Sequence, residues 1–142
     1  FALGVALNET GLAANLINAI PFNTWPVLAV LIGSGVICYT LSNFISNTAP
    51  AALLVPILAV VGKSMTAELA PIGGVACLLI GIAVAASVAM ILPISTPPNA
   101  LAHGTGMIEQ KYMAKSGLIM GIIGLVLGYV MLVLLGSIGF FG

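Results

Sequence analysis

Residues 27–62 read VLAVLIGSGVICYTLSNFISNTAPAALLVPILAVVG, and this segment decides the fold. Two apolar runs, 27–41 and 49–62, contain 15 and 14 residues and flank the polar string SNFISNT at 42–48. A straight helix needs about 20 apolar residues to cross a bilayer, so neither run is long enough. The pattern therefore predicts a re-entrant helical hairpin over 27–62 that turns at the polar string. The alternative is one interrupted spanning helix of 36 residues, which would have to tilt strongly.

The composition requires a bilayer as solvent. The chain has 142 residues, of which 61% are hydrophobic and only 4% are charged. Soluble domains carry roughly 25% charged residues, so this chain is neither a soluble enzyme nor a disordered tail. It has no basic patch for nucleic acid. The chain also opens on Phe1 in apolar sequence without a basic leader, which we interpret as part of a longer protein.

The remaining apolar segments give the rest of the architecture. Residues 1–20 are predicted to be the end of a membrane helix, and residues 116–140 the last transmembrane helix. Between them, 72–108 is predicted to be a membrane helix broken by the proline-rich string PISTPPN at 93–99, because consecutive prolines end a helix. The last helix carries glycines at three- and four-residue spacing, which predicts a face for close helix packing. These glycines are Gly117, Gly121, Gly124 and Gly128.

Smaller features have simpler interpretations. Cys38 and Cys77 lie in apolar runs and are expected to be buried packing residues rather than a disulfide. His103 follows the proline-rich string and is expected to lie in a loop or at a helix end, with proton coupling or substrate contact as the alternative.

The two polar strings contain the groups that could carry chemistry. Ser46, Asn47 and Thr48 supply hydroxyls and an amide at the start of an apolar helix, where free backbone N–H groups and the helix dipole favour an anion. The same residue types are good N-caps, so plain capping is the alternative interpretation. The string at 93–99 has a similar design, with a new helix expected from about Asn99. Two broken elements in one small membrane unit indicate the site of a secondary transporter, although a pore loop of a channel would need them too.

Two strings carry a family resemblance. ISNTAPAALLVPI at 45–57, together with LPISTPPNALAHGTG at 92–106, resembles the divalent anion/sodium symporter family of sodium-coupled di- and tricarboxylate carriers. GVALNETGLA at 4–13 is also similar to that family. The resemblance implies that residues 1–142 are one C-terminal repeat of an inverted-repeat transporter of the bacterial dicarboxylate type. It implies partners as well: a missing N-terminal repeat and a second copy in a homodimer.

The resemblance also implies roles for individual residues. The residues implied to bind substrate are Ser46, Asn47, Thr48, Thr96 and Pro97. The implied sodium ligands are Ser42, Ile45, Asn47 and Ser95, with Ile45 and Ser95 acting through their carbonyl oxygens. Asn47 would contact both ion and substrate, which gives a direct route to coupling.

The sequence thus predicts an all-α integral membrane unit that is not an enzyme. The expected function is sodium-coupled symport of C4-dicarboxylates such as succinate by alternating access, in a multi-pass protein of the bacterial inner or plasma membrane. One alternative is a citrate, sulfate or proton-antiport carrier of related fold. The other is a channel or assembly subunit that does not transport.

Overall fold

A computed structural model describes residues 24–141, together with Thr10 and Ala19. The predicted helix end at 1–20 and the family-like string at 4–13 therefore lie almost wholly outside the described residues. Across the described part the chain is helical and contains no strand. Its helices are α1 (Val27–Phe44), α2 (Thr48–Ser64), α3 (Thr66–Leu69), a 3-10 turn (Ala70–Ile72), α4 (Gly74–Ser87), α5 (Pro97–Gly104) and α6 (Gln110–Ser137).

Helix α1 is longer than the apolar run that predicted it. It continues through Ser42 and Asn43 to Phe44, so that the polar string is reduced to a first break at residues 45–47. Its last turn is held by two bonds: the Asn43 Nδ2 donates to the Tyr39 carbonyl (2.8 Å), and the Ile45 N–H donates to the Leu41 carbonyl (3.0 Å). Polar residues can therefore extend this helix because they bond back to it.

Length and composition identify the segments that can cross a membrane. Among the described residues these are α1, with 18 residues, and α6, with 28. The helix pair Thr48–Ser64 and Thr66–Ile72 is long and apolar enough to cross a membrane if the two helices count as one span, but the pair is bent by 95°. Since 18 residues are enough to span, the re-entrant hairpin over 27–62 stays a prediction.

Helix α4 lies at the centre of the packing. It contacts α1, α2 and α6, and α1 also contacts α2. Its buried face includes Cys77, Leu78 and Ile82, which are at most 1% exposed. The expectation for the cysteines is confirmed, because Cys38 and Cys77 are both buried and free.

The glycine face of α6 packs as predicted. A Cβ atom at Gly117 would lie 2.9 Å from the Ile91 Cα, and one at Gly124 would lie 3.0 Å from the Val88 Cγ1. One at Gly121 would lie 3.0 Å from the Tyr39 ring. The absence of side chains therefore lets α6 approach α1 and the segment that follows α4.

Candidate functional site

The first break, residues 45–47, joins α1 to α2. Asn47 occupies the N-cap position of α2, but its φ and ψ of −65° and −33° are helical and its side chain makes no capping bond. The Oδ1 atom of Asn47 is buried and has no hydrogen-bond partner among the described residues. Plain capping therefore does not explain this amide, and a buried oxygen without a partner is costly unless a ligand supplies one.

Hydroxyl groups lie on either side of Asn47. The Ser46 and Thr48 oxygens are 3.3 Å apart, and Ser46 is half-buried while Thr48 is exposed. They stand at the beginning of the 17-residue helix α2, whose dipole favours an anion. The first break thus combines a partnerless buried oxygen with accessible hydroxyls.

The second break, residues 88–96, joins α4 to α5. Helix α5 begins at Pro97, two residues before the predicted start, because proline is well accommodated in the first turn of a helix. Thr96 is its N-cap, and the Thr96 Oγ1 accepts from the Asn99 backbone N–H at 3.3 Å. The Thr96 Oγ1 thus caps the N-terminus of α5, and Pro97 is exposed.

The end of α1 and the second break are joined by hydrogen bonds that sequence reasoning did not anticipate. The Asn43 Oδ1 accepts from the Ile91 N–H (2.9 Å), and the Ser95 Oγ donates to the Asn43 carbonyl (3.0 Å). The Ser95 Oγ also accepts from the Leu92 N–H at 3.2 Å. In the sequence, Asn43 is only one polar residue of the string at 42–48. In the structure it stands out because it is only 3% exposed at the end of an apolar helix.

Asn99 is a second residue that the sequence did not single out for a role. Its Nδ2 donates to the Met90 carbonyl (2.9 Å) and to the Leu92 carbonyl (3.4 Å). Backbone groups released by unwinding need such partners in a membrane protein. Side chains of Asn43, Ser95 and Asn99 therefore replace part of the helical ladder in the second break.

The predicted sodium ligands and the predicted substrate-binding residues differ in how the structure connects them across the two breaks. Ser95 contacts Asn43 and so lies beside the end of α1, where Ser42 and Ile45 are located. Ser42 is fully buried, with the Cys38 sulfur 3.9 Å from its Oγ. Among the described hydrogen bonds, none links the S-N-T tripeptide to Thr96, so the substrate positions on the two breaks are not joined directly.

Neither break contains a charged side chain. In the described part of the chain the charged side chains are all exposed and comprise Lys63, Glu68, Glu109, Lys111 and Lys115. His103 lies in the last turn of α5, and its Nδ1 is 3.1 Å from the Ile108 carbonyl. Because a carbonyl only accepts, the Nδ1 carries the proton in this bond. The expectation of a helix-end histidine is confirmed.

These features define an α-helical integral membrane protein with two uncharged polar breaks, the second of which is hydrogen-bonded to the end of α1. Residues 1–139 match the family model described as the sodium:sulfate symporter transmembrane region. The chain belongs to this family, and with its apolar helices it is part of a multi-pass plasma-membrane protein.

Curated relatives agree with this family. An uncharacterized transporter of Haemophilus influenzae is 38% identical over 123 residues, which cover 85% of this chain and 25% of the relative. Na(+)/dicarboxylate cotransporter 3 of Rattus norvegicus is 34% identical over 133 residues, or 89% of this chain and 20% of the relative. The sodium-dependent dicarboxylate transporter SdcS of Staphylococcus saprophyticus is 36% identical over 118 residues, or 82% and 21%. The chain therefore spans a quarter or less of the length of these relatives.

Proposed function

We propose that this chain is the C-terminal repeat of a sodium-coupled symporter that carries C4-dicarboxylates such as succinate by alternating access. Two relatives bear names that combine sodium with dicarboxylates. The observation that carries the proposal is the buried, partnerless Oδ1 of Asn47 at the first break. Because an amide oxygen is a ligand for a hard cation, a sodium ion would supply the missing partner.

The proposed sodium site uses oxygens from the end of α1 and from both breaks. Ser42 and Asn47 contribute side-chain oxygens, and Ile45 and Ser95 contribute backbone carbonyls. Two features support this division: the Ser95 hydroxyl is engaged with Asn43 and Leu92, whereas the partner of the buried Ser42 Oγ among the described residues is the weakly bonding Cys38 thiol. The ion would then be held by neutral oxygens, and the bond from the Ser95 Oγ to the Asn43 carbonyl supports this grouping because it joins the second break to the end of α1.

The proposed dicarboxylate site lies at the start of α2. The hydroxyls of Ser46 and Thr48, the Asn47 amide N–H groups and the α2 dipole favour a carboxylate there. Thr96 and Pro97 would approach the same substrate from the second break. Since charged side chains are absent from both breaks, the positive charge that balances the substrate would come from sodium.

Coupling follows from the two ends of the Asn47 amide. An amide oxygen accepts and an amide nitrogen donates, so one side chain can bind the cation and the anion together. Bound sodium would orient this amide and raise the affinity for the dicarboxylate, and the reverse holds by reciprocity. The missing N-terminal repeat would complete the substrate site, and the repeats would move together within a homodimer.

The test is uptake of labelled succinate, citrate and sulfate by the full-length protein, with sodium or with choline outside. We expect sodium-dependent uptake of succinate. A preference for sulfate, which the family description names, or for citrate would select the alternative substrate. Uptake that ignores sodium, or a current without substrate, would overturn the symporter and favour a proton-coupled carrier or a channel.

A further inference from the structure

The last turn of α1 contains an asparagine whose polar atoms are all used within the fold. Asn43 is 3% exposed. Its Nδ2 donates to the Tyr39 carbonyl in its own helix, and its Oδ1 accepts from the Ile91 N–H in the second break. Asn43 thus ties the end of α1 to a segment 48 residues further along the chain.

Ser95 completes the same connection from the other side. It is 2% exposed, its Oγ donates to the Asn43 carbonyl, and it accepts from the Leu92 N–H. The proton of this hydroxyl and one of its two lone pairs are thereby used. The side chains of Asn43 and Ser95 together form a connection that we call the Asn43–Ser95 clamp.

The second break is loosely packed on the side that faces the end of α1. A cavity of about 190 Å³ lies against it, lined by Tyr39, Thr40, Asn43, Phe44, Ile91 and Leu92. This pocket is open to the surface, so the described residues make few contacts on this side of the second break. The directed hydrogen bonds of Asn43 and Ser95 restrain the break there, in addition to the packing of α6 against Met90 and Ile91.

We propose that Asn43 and Ser95 are positioning residues that preset the sodium affinity by fixing the second break against the end of α1. The proposal rests on the proposed function, in which sodium ligands come from both segments. Without the clamp, the Ser95 carbonyl would have to be ordered when sodium binds, and that loss of freedom would weaken binding. The clamp does not contact sodium or substrate.

Substitutions at Ser95 can separate the role of its hydroxyl in the clamp from the role of its backbone carbonyl as a proposed sodium ligand. Ser95→Ala removes the hydroxyl and keeps the backbone carbonyl, so a purely carbonyl role predicts no change. Ser95→Cys keeps a weak donor and acceptor in place of the hydroxyl. Ser34→Ala is the matched control: Ser34 is 1% exposed, but its Oγ donates only to the Leu31 carbonyl of its own helix.

The experiment measures succinate uptake by the full-length carrier in proteoliposomes over a range of sodium concentrations. For Ser95→Ala and Asn43→Leu we expect the sodium concentration at half-maximal rate to rise about tenfold, equivalent to about 1.4 kcal/mol. Ser95→Cys should fall between these variants and the wild type, and Ser34→Ala should match the wild type. Loss of folded carrier would instead lower the maximal rate and leave the half-saturating concentration unchanged.

The outcomes distinguish the two proposals. A sodium dependence in Ser95→Ala or Ser95→Cys equal to that of the wild type overturns the clamp, including when the maximal rate is reduced. A wild-type carrier that transports without sodium overturns the proposed function instead. A graded rise from serine to cysteine to alanine supports the clamp, because a general loss of stability would not follow this order in sodium affinity.

Discussion

The two breaks differ in how their polar groups are used. The first, residues 45–47, is short and leaves the Asn47 Oδ1 buried without a partner in the described structure. The second, residues 88–96, is longer and is closed by bonds from Asn43, Ser95 and Asn99. We therefore infer that the first break presents side-chain oxygens to a ligand, whereas in the second break the side chains hold the backbone in place and only its carbonyl groups would contact a ligand.

The largest expected effect comes from displacing the backbone of the second break. At Gly117 a Cβ atom would lie 2.8 Å from the Met90 carbonyl carbon and 2.9 Å from the Ile91 Cα, which are backbone atoms that cannot move cheaply. Gly117→Ala should therefore destabilise the full-length protein by about 3 kcal/mol, measured as a fall in melting temperature in detergent.

Gly104 is the matched control for this change. It ends α5 in open space, with nothing within 4 Å of an added Cβ. Gly104→Ala should leave the melting temperature unchanged or raise it slightly, since alanine favours a helix. Equal effects at both glycines would contradict the close approach of α6 to the second break.

A smaller effect is expected from removing one of the side-chain donors that bind the backbone of the second break. Asn99→Ala leaves the Met90 and Leu92 carbonyls without their side-chain partner, and the residue is only half-buried. We expect a loss of about 2 kcal/mol, again read from the melting temperature without sodium. A variant as stable as the wild type would show that water or another donor replaces this amide.

The smallest effect is expected at the start of α5. Thr96→Val keeps the shape but removes the Oγ1 acceptor of the Asn99 N–H, and should cost about 1 kcal/mol. Thr40→Val is the control, because the exposed Thr40 hydroxyl only donates to the Val36 carbonyl in its own helix. If uptake of succinate falls more in Thr96→Val than this loss of stability explains, Thr96 also contacts substrate.

Periodicity and proline placement predicted most of the fold. The apolar runs located α1, α2, α4 and α6, and the glycine spacing predicted the packing face of α6, because these signals are local. The apolar run stops at residue 41 whereas α1 continues to Phe44, and the sequence does not show that Asn43 bonds back to Tyr39.

The candidate site was predicted less completely. Residue types and the resemblance indicated Asn47, but not that its oxygen is buried and lacks a partner, which depends on how α1 and α2 meet. The Asn43–Ser95 clamp joins residues 52 positions apart, and such pairs cannot be read from spacing in a single sequence.

The most direct test of the account is the sodium-induced rise in melting temperature of the full-length protein, measured for wild type, Asn47→Ala and Asn99→Ala. Sodium at 100 times its dissociation constant should stabilise the wild type by about 2.7 kcal/mol. Asn47→Ala should melt like the wild type without sodium and lose this rise, whereas Asn99→Ala should melt lower and keep the rise at saturating sodium. A full sodium-induced rise in Asn47→Ala would contradict the proposed role of Asn47 as a sodium ligand.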